Sequence, residues 1–287
     1  MLNASVIIPT HNRPDALVRC LSPLVQTQRD HGQPREIIVV DDGSAPEQSR
    51  RAAALIKTFD APNLQLVYQT PNQGVSAARN RGVLCAKGDL LVFLDDDLIP
   101  SPTMVQDYVA LHQQHPEILI LCGHLFTRDR SVYGRLWARC YDHVFGRPGQ
   151  GRDLFPIRML SGGHVAFKRS VLDQVHPLFD PSLPSREDFD TYLRAKQAGI
   201  PVFKTAYAAA EIVPRTNFPA FIKQREWYAK GEHALRAKHG VEPLRAAATE
   251  GRPDLTLDMR LLTYLARLWI TGRASFRRRR TSERSGA

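Results

Sequence analysis

The sequence predicts an α/β fold in which a central, mostly parallel sheet is flanked by helices. Two observations predict this class. Short apolar runs, each closed by a polar turn, alternate along the first third of the chain with longer segments of helical periodicity. The chain of 287 residues is 43% hydrophobic and 24% charged, an ordinary composition for a globular protein with a sizeable core.

The predicted elements of the first part follow one another as β-α-β-α-β-α-β. This order implies parallel strands joined by right-handed crossovers. The helical segments carry apolar side chains at three- and four-residue spacing, and Pro14 suits the start of the first one. The predicted strands are 4–8, 36–40, 64–68 and 90–94, and the predicted helices are 14–28, 46–59 and 75–86.

The pattern is less regular after residue 100. We predict helices over 101–114, 185–198 and 218–239, and short strands over 118–121, 161–167 and 202–203. Residues 126–157 are rich in arginine, aromatic residues and glycine, and we interpret them as a loop-and-helix insertion over the ligand crevice. The alternative is a surface excursion whose aromatic side chains pack down. The expected domains are 1–215, and 216–287 as a C-terminal helical extension.

Parallel strands end at one edge of the sheet, and open α/β sheets bind their ligands there. The loops at 9–12, 41–44, 72–80 and 95–97 should therefore meet in one crevice. The loop at 72–80 leads into a predicted helix and carries a glycine turn and an arginine, which suit an anionic group near a helix N-terminus.

Three consecutive carboxylates, those of Asp95, Asp96 and Asp97, follow the strand at 90–94. Adjacent acids repel one another, so their clustering costs stability unless a cation lies near them. Mg²⁺ or Mn²⁺, sharing its ligands with phosphate oxygens, would relieve the repulsion. The alternative is a solvated acidic turn that caps a helix.

Together these segments resemble family 2 glycosyltransferases, which have the Rossmann-like GT-A fold. The resemblance covers roughly residues 4–235 and rests on five motifs in a fixed order. These are SVIIPTHNR at 5–13, VVDDGS at 39–44, NQGVSAARNRG at 72–82, FLDDD at 93–97 and the Glu187-Asp188 pair.

The resemblance implies a role for each motif. Asp97 would hold Mn²⁺ or Mg²⁺, and Asp188 would be the catalytic base. The backbone at Pro9 and Thr10 would line the nucleotide base pocket, Asp42 would accept a hydrogen bond from the base, and Asp95 would face the ribose. The expected donor-binding residues are Pro9, Thr10, Asn12, Arg13, Asp41, Asp42, Gly74, Arg79, Asp95 and Asp96, and further pocket positions are Gly163, His164 and Glu187.

Some of these residues have structural alternatives. Acids suit the first turn of a helix and Ser185 fits an N-cap, so Glu187 and Asp188 are open to a purely structural reading. His164 stands where many family members have asparagine, and it would either touch a ligand or pack as a hydrogen-bonded histidine. A histidine that the family often places after the acidic pair is missing, which leaves Glu211, the diphosphate and water as candidate further ligands.

The implied activity is sugar transfer from a nucleotide-diphosphate sugar, for which UDP is the family's common carrier, to an acceptor hydroxyl with inversion. The acceptor would be a saccharide or a lipid-linked molecule in cell-surface polysaccharide or glycolipid synthesis. The alternative is a non-catalytic protein that binds nucleotide sugars or acts as a scaffold on the same fold. A nucleotidyltransferase would need a basic, glycine-rich loop near the first strand, which residues 9–13 do not supply.

The formal charge of +10 is concentrated in the tail, since residues 251–287 hold nine arginines against three acids. An amphipathic pattern at 255–270 followed by four arginines at 277–280 suits an anionic membrane surface, and the alternative is a packed helix with a solvated end. We expect no nucleic-acid partner. Without a signal peptide, a transmembrane run or paired cysteines, the expected location is the cytoplasm, at the inner membrane face if the tail binds lipid.

Overall fold

A computed structural model describes residues 2–31, 36–146, 153–213 and 218–240. The strands are β1 (Ala4–Thr10), β2 (Glu36–Asp42), β3 (Leu64–Gln69), β4 (Leu90–Leu94), β5 (Leu98–Pro100), β6 (Ile120–Phe126), β7 (Leu154–Ile157), β8 (His164–Lys168) and β9 (Val202–Ile212). The helices are α1 (Pro14–His31), α2 (Pro46–Lys57), α3 (Val75–Cys85), α4 (Met104–Gln114), α5 (Val132–Phe145), α6 (Glu187–Gln197) and α7 (Phe218–His239), with a 3₁₀ turn at Arg169–Asp173.

These strands form one sheet in the order β3-β2-β1-β4-β8-β6-β9-β5, and β7 pairs with β9. The block β3-β2-β1-β4 is parallel throughout, which confirms the architecture predicted from the β-α alternation. Beyond β4 the direction changes, because β8 runs antiparallel to both β4 and β6, while β9 is parallel to β6. The Asp95 turn therefore lies next to β8, whose first residue follows Gly163.

The apolar strands are buried because helices cover both faces of the sheet. Along β1, Val6 and Ile8 join a cluster with side chains of α1, α2 and α4, while Ile7 joins a second cluster with side chains of α3, α6 and α7. Every residue of β1, β2 and β4 is buried, as expected for central strands of a parallel sheet. The β-α-β arrangement thus places the polar loops at the carboxyl edge.

Several strand predictions were wrong in length. The strand predicted at 118–121 is β6, which continues to Phe126, and the strand predicted at 202–203 is the eleven-residue β9. The sequence concealed β9 because Lys204 and Thr205 are polar, although both are fully buried. The short edge strand β5 was also missed, since three residues ending in proline give almost no periodic signal.

The insertion predicted at 126–157 contains α5 and β7. Its aromatic side chains stack in sequence, with ring centroids 5.0 Å apart for Trp137 and Tyr141 and 4.7 Å apart for Tyr141 and Phe145. The stack packs against the core, and Lys204 Nζ lies 4.5 Å from the Tyr141 ring centre. Trp137, Tyr141 and Phe145 therefore pack down, as the alternative prediction stated.

Helix α7 has the predicted extent of 218–239, and its Leu235 is fully buried in the core. The domain boundary at residue 215 remains a prediction, and the tail at 255–280 lies outside the described residues. Within the described part of the chain, no helix is both long and apolar enough to cross a membrane.

Candidate active site

The loops after β1, β2 and β4 meet at the carboxyl edge of the sheet, as the strand order predicted. Thr10 Oγ1 donates a 2.7 Å hydrogen bond to Asp96 Oδ2, which joins the first loop to the acidic turn. The Ala45 amide donates to the Asn12 side-chain oxygen at 2.7 Å, which joins the first loop to the second. The convergence predicted for Thr10, Asn12 and the aspartate cluster is therefore present.

Asp96 lies beneath this junction and is only 5% exposed. Burial raises its pKa to about 6, although the Thr10 hydroxyl and the Arg13 guanidinium oppose the shift. Both of its carboxylate oxygens contact protein donors, since Arg13 Nη1 lies 3.2 Å from Oδ1. In the structure Asp96 therefore connects loops. The sequence analysis had listed it among the donor-binding residues.

Arg13 supplies a cation for the acidic turn. Its Nη1 also lies 3.1 Å from Asp97 Oδ2, and the two side chains are 43% and 41% exposed. The acidic turn therefore carries a protein cation of its own, which reduces the repulsion among the three acids. Asp97 stays accessible to solvent.

Asp41 and Asp42, at the end of β2, accept hydrogen bonds from neighbouring segments. Asp42 accepts hydrogen bonds from the Gln73 amide at 2.9 Å and from the Gly74 amide at 2.8 Å. Asp41 accepts from the Ser49 hydroxyl at 2.6 Å. Gly74 has a φ of +91°, a conformation that favours glycine, and it immediately precedes α3. Asp42 therefore holds the turn that sets where α3 begins, while Asp41 contacts α2 through Ser49.

Arg79 connects two acidic motifs that are far apart in the sequence. Its Nη2 lies 2.7 Å from Asp95 Oδ1, and its Nη1 lies 2.7 Å from Glu187 Oε1. The side chain is 3% exposed, and its guanidinium carbon lies 4.9 Å from the centre of the Phe179 ring. Burial alone would lower the pKa of Arg79, but the two carboxylates raise it above its usual value.

Two glycines allow these groups to approach closely. A Cβ added at Gly163 would lie 2.1 Å from Asp95 Oδ2, and one added at Gly162 would lie 3.1 Å from both Arg79 Nη1 and Asp188 Cβ. The Asp95 amide also donates to the Gly163 carbonyl at 2.9 Å. Gly163 was expected at the pocket, whereas Gly162 was not singled out, although its neighbouring glycine was a signal that could have found it.

Asp188 lies in the first turn of α6, half-buried beside the Arg79 bridge. Its Oδ1 accepts a 2.8 Å hydrogen bond from the Phe189 amide. Burial and the neighbouring Glu187 carboxylate raise the pKa of Asp188 above its ordinary range. The predicted Ser185 N-cap was wrong, because Arg186 is the cap residue and the Ser185 hydroxyl donates instead to the Trp227 carbonyl at 2.8 Å.

The described geometry therefore joins an acidic turn, a buried arginine and a second acidic pair. A family model described as "Glycosyl transferase family 2" matches residues 5–175, more than half of the chain. The chain belongs to glycosyl transferase family 2. The matched region includes the loops at the carboxyl edge and the paired glycines and ends before the Glu187-Asp188 pair.

Curated proteins with sequences similar to this family 2 chain are named as glycosyltransferases. The putative colanic acid biosynthesis glycosyl transferase WcaA of Escherichia coli K12 is 24% identical over 196 residues, which cover 66% of this chain and 64% of WcaA. The uncharacterized glycosyltransferase YfnE of Bacillus subtilis is 31% identical over 134 residues, covering 46% and 32%. This chain therefore spans less than two thirds of the length of these relatives.

Solved structures show the shared fold. The mannosyltransferase PcManGT of Pyrobaculum calidifontis, solved with GDP-Man and Mn²⁺, has a TM-score of 0.60 and 20% identity, covering 95% of this chain and 84% of that one. S. aureus TarS residues 1–349, solved with UDP-GlcNAc, has a TM-score of 0.58 and 19% identity, covering 76% and 60%. The predicted GT-A fold is confirmed.

Two residues that were expected near the ligands, His164 and Glu211, contact other protein groups in the structure. His164 is fully buried, with Nε2 3.0 Å from the Ala208 carbonyl oxygen, and burial lowers its pKa to about 4. It is the packed, hydrogen-bonded histidine of the alternative prediction. Glu211 Oε2 lies 3.0 Å from Arg128 Nη1, so a role for Glu211 at a metal remains a prediction.

The donor atoms at the acidic turn fit a hard divalent cation. Asp95 and Asp97 present carboxylate oxygens, and their side chains are 38% and 41% exposed. Among the residues that the structure describes, no group of three or more His, Cys, Asp or Glu side chains is arranged to hold a metal. A cation at this turn would complete its shell with phosphate and water oxygens, as Mg²⁺ commonly does.

Proposed function

We propose that this family 2 chain is an inverting glycosyltransferase that moves a sugar from a nucleotide-diphosphate sugar, with UDP as the first carrier to test, to an acceptor hydroxyl. The observation that carries the proposal is the buried Arg79 bridge. It joins Asp95, at the proposed donor end, to Glu187, which directly precedes the proposed base. Structural neighbours solved with GDP-Man or UDP-GlcNAc support a nucleotide-sugar donor.

Asp188 is the proposed general base. An acceptor hydroxyl loses its proton far above neutral pH, so a positioned carboxylate must accept that proton as the new bond forms. Burial next to Glu187 raises the pKa of Asp188 and so makes the carboxylate a stronger base. Its place across the Arg79 bridge from the acidic turn suits attack from the side opposite the leaving diphosphate, which gives inversion.

The remaining residues of the site hold the donor. Asp95 faces the ribose, Asp97 holds the metal, and the loops at Pro9–Asn12 and Asp41–Asp42 surround the base. Bound at Asp97, Mn²⁺ or Mg²⁺ would act as a Lewis acid that stabilises the departing diphosphate. Arg13 then lies beside the same charge and can donate hydrogen bonds to phosphate oxygens.

Asp188→Asn tests the role of the base. The amide keeps the shape of the side chain but cannot accept the proton, so we expect the transfer rate to fall at least about a hundredfold while donor affinity changes little. The matched control is Asp173→Asn, which alters an exposed aspartate after β8. Transfer by Asp188→Asn at the wild-type rate would mean that Asp188 only begins a helix.

The donor is identified by thermal shift with UDP, GDP, TDP and CMP sugars, with and without Mn²⁺, because a ligand that binds the native state raises its melting temperature. The anomeric configuration of the product then distinguishes the stereochemical courses, and a retained configuration would refute inversion. The second candidate is a non-catalytic nucleotide-sugar binder. A donor that raises the melting temperature yet is neither transferred nor hydrolysed with any acceptor would favour that candidate.

The proposed setting is cell-surface polysaccharide or glycolipid assembly, with a saccharide or lipid-linked acceptor, in the cytoplasm or at the inner membrane face. WcaA, named for colanic acid biosynthesis, supports this setting by similarity. Residues 255–280 would contact anionic lipid through their arginines. Sedimentation with anionic and neutral vesicles tests this, and equal binding by full-length protein and a variant with Arg277–Arg280 changed to serine would refute it.

A further inference from the structure

Helix α7 packs directly against the turn that leads into Asp188. The Ser185 hydroxyl donates a 2.8 Å hydrogen bond to the Trp227 carbonyl of this helix. One turn further along, Gly231 approaches so closely that an added Cβ would lie 2.0 Å from Ser185 Oγ and 2.4 Å from the Ser185 carbonyl oxygen. Only a residue without a side chain allows the helix and the turn to be this close.

A second contact supports the next residue of the turn. Arg186 has a φ of +67°, a left-handed conformation that costs free energy in a residue with a side chain. Its guanidinium carbon lies 4.6 Å from the centre of the Tyr228 ring, within the range of a cation–π interaction. Such a conformation persists only when surrounding contacts enforce it, and Tyr228 provides one of them.

The far end of α7 is fixed to α6 itself. Lys238 Nζ and His239 Nε2 each lie 2.7 Å from Asp190 Oδ1, and Asp190 is fully buried in the first turn of α6. Leu235, between these contacts and Gly231, is also fully buried. The helix is therefore attached at several points to the segment that begins at Ser185, and it cannot shift without moving that segment.

We propose that α7 positions the catalytic base, with Tyr228 and Gly231 as positioning residues that fix the Ser185–Arg186 turn and so the direction of the Asp188 carboxylate. This inference rests on the proposed function of Asp188. The Arg79–Glu187 ion pair fixes the first turn of α6 on the side of the active site. Helix α7 fixes the preceding Ser185–Arg186 turn on the opposite side. A displacement of about 1 Å in a reacting group can lower a rate about a hundredfold, so the second support matters for turnover.

Gly231→Ala in the full-length chain tests the proposal. The added methyl group forces α7 and the Ser185 turn apart, so we expect kcat to fall about 10- to 100-fold. The donor dissociation constant, measured by calorimetry with the nucleotide sugar from the thermal-shift screen, should change less than about threefold, because the donor loops lie on other elements. The control is Lys230→Ala, which changes the exposed neighbour on the same helix and should keep the wild-type kcat.

Tyr228 provides an independent pair of variants. Tyr228→Phe retains the ring over Arg186 and should keep kcat within about twofold, whereas Tyr228→Leu removes the ring and should lower kcat at least about fivefold with donor affinity preserved. The proposal is overturned if Gly231→Ala and Tyr228→Leu both keep the wild-type kcat. It is also overturned if donor affinity falls as much as kcat, because that result indicates general loosening of the fold.

Hydrogen exchange separates this inference from the proposed function. In the ligand-free protein, the backbone amides of residues 186–189 should exchange faster in Gly231→Ala than in wild type or Lys230→Ala. If wild type transfers no sugar, the proposed function fails, yet faster exchange would still support the positioning of the turn by α7. Unchanged exchange at these amides would overturn the positioning role whatever the activity.

Discussion

Replacing Arg79 with methionine tests whether the buried arginine holds the two acidic motifs together. Methionine keeps an unbranched apolar stem but removes the guanidinium, whose nitrogens lie 2.7 Å from Asp95 Oδ1 and 2.7 Å from Glu187 Oε1. The Glu187 side chain is 7% exposed, so the substitution leaves a buried carboxylate without its cation. The Asp95 side chain is 38% exposed, and water can replace most of what it loses.

The expected cost follows from these two exposures. Removing one partner of a buried ion pair typically costs about 3–5 kcal/mol, and the solvated Asp95 contact adds little. We therefore expect the free energy of unfolding to fall by about 4 kcal/mol near neutral pH. For a chain of this size each kcal/mol lowers the melting temperature by roughly 2–4 °C, which gives a loss of roughly 8–16 °C.

Urea unfolding followed by circular dichroism measures this cost, and Arg51→Met is the matched control. Arg51 Nη2 lies 2.6 Å from Asp15 Oδ1, but the two side chains are 52% and 61% exposed, so the control should lose less than about 1 kcal/mol. Adding Glu187→Gln to Arg79→Met should recover part of the loss, since it removes the buried charge. Equal losses for Arg79→Met and Arg51→Met would refute the reasoning.

Three further predictions concern individual acids and the paired glycines. Gly163→Ala places a Cβ 2.1 Å from Asp95 Oδ2, so the free energy of unfolding should fall by about 1–3 kcal/mol. Donor binding measured by calorimetry should also weaken, and an unchanged donor affinity would contradict this prediction. Burial raises the pKa of Asp96 to about 6, above its unfolded value, so the folded wild type loses stability as pH rises from about 4 to 6. The unfolding free energy of Asp96→Asn relative to wild type should therefore rise by up to about 3 kcal/mol over that interval in urea titrations, and a constant difference would exclude this. Burial and Glu187 raise the pKa of Asp188, and a general base acts only when it is ionised. The acid-side fall in kcat/KM should therefore occur at a pH above the usual aspartate pKa of about 4. A kcat/KM profile that stays flat down to about pH 4 would be inconsistent with this role.

Much of the site was predictable because it follows from local patterns. Apolar runs that end in polar turns predicted β1, β2, β3 and β4, and their alternation with helices predicted that the turns would share one edge. The prediction failed where burial and sequence polarity disagree. Lysine is usually a surface residue, yet the Lys204 ammonium lies near the Tyr141 ring and donates to the Gly146 carbonyl at 2.7 Å. Because Lys204 was expected at the surface, the predicted strand at 202–203 was too short.

The sequence by itself determined which residues stand at the carboxyl edge, because strand order and motif order fix that edge. It also indicated that the three acids of the turn need a cation. Only the tertiary structure decided which protein cations they have, since Arg13 and Arg79 come from other loops and elements. It likewise placed His164 in the core and α7 behind Asp188. These pairings join residues that lie 16 positions apart for Arg79 and Asp95 but 108 apart for Arg79 and Glu187, and no local periodicity encodes them.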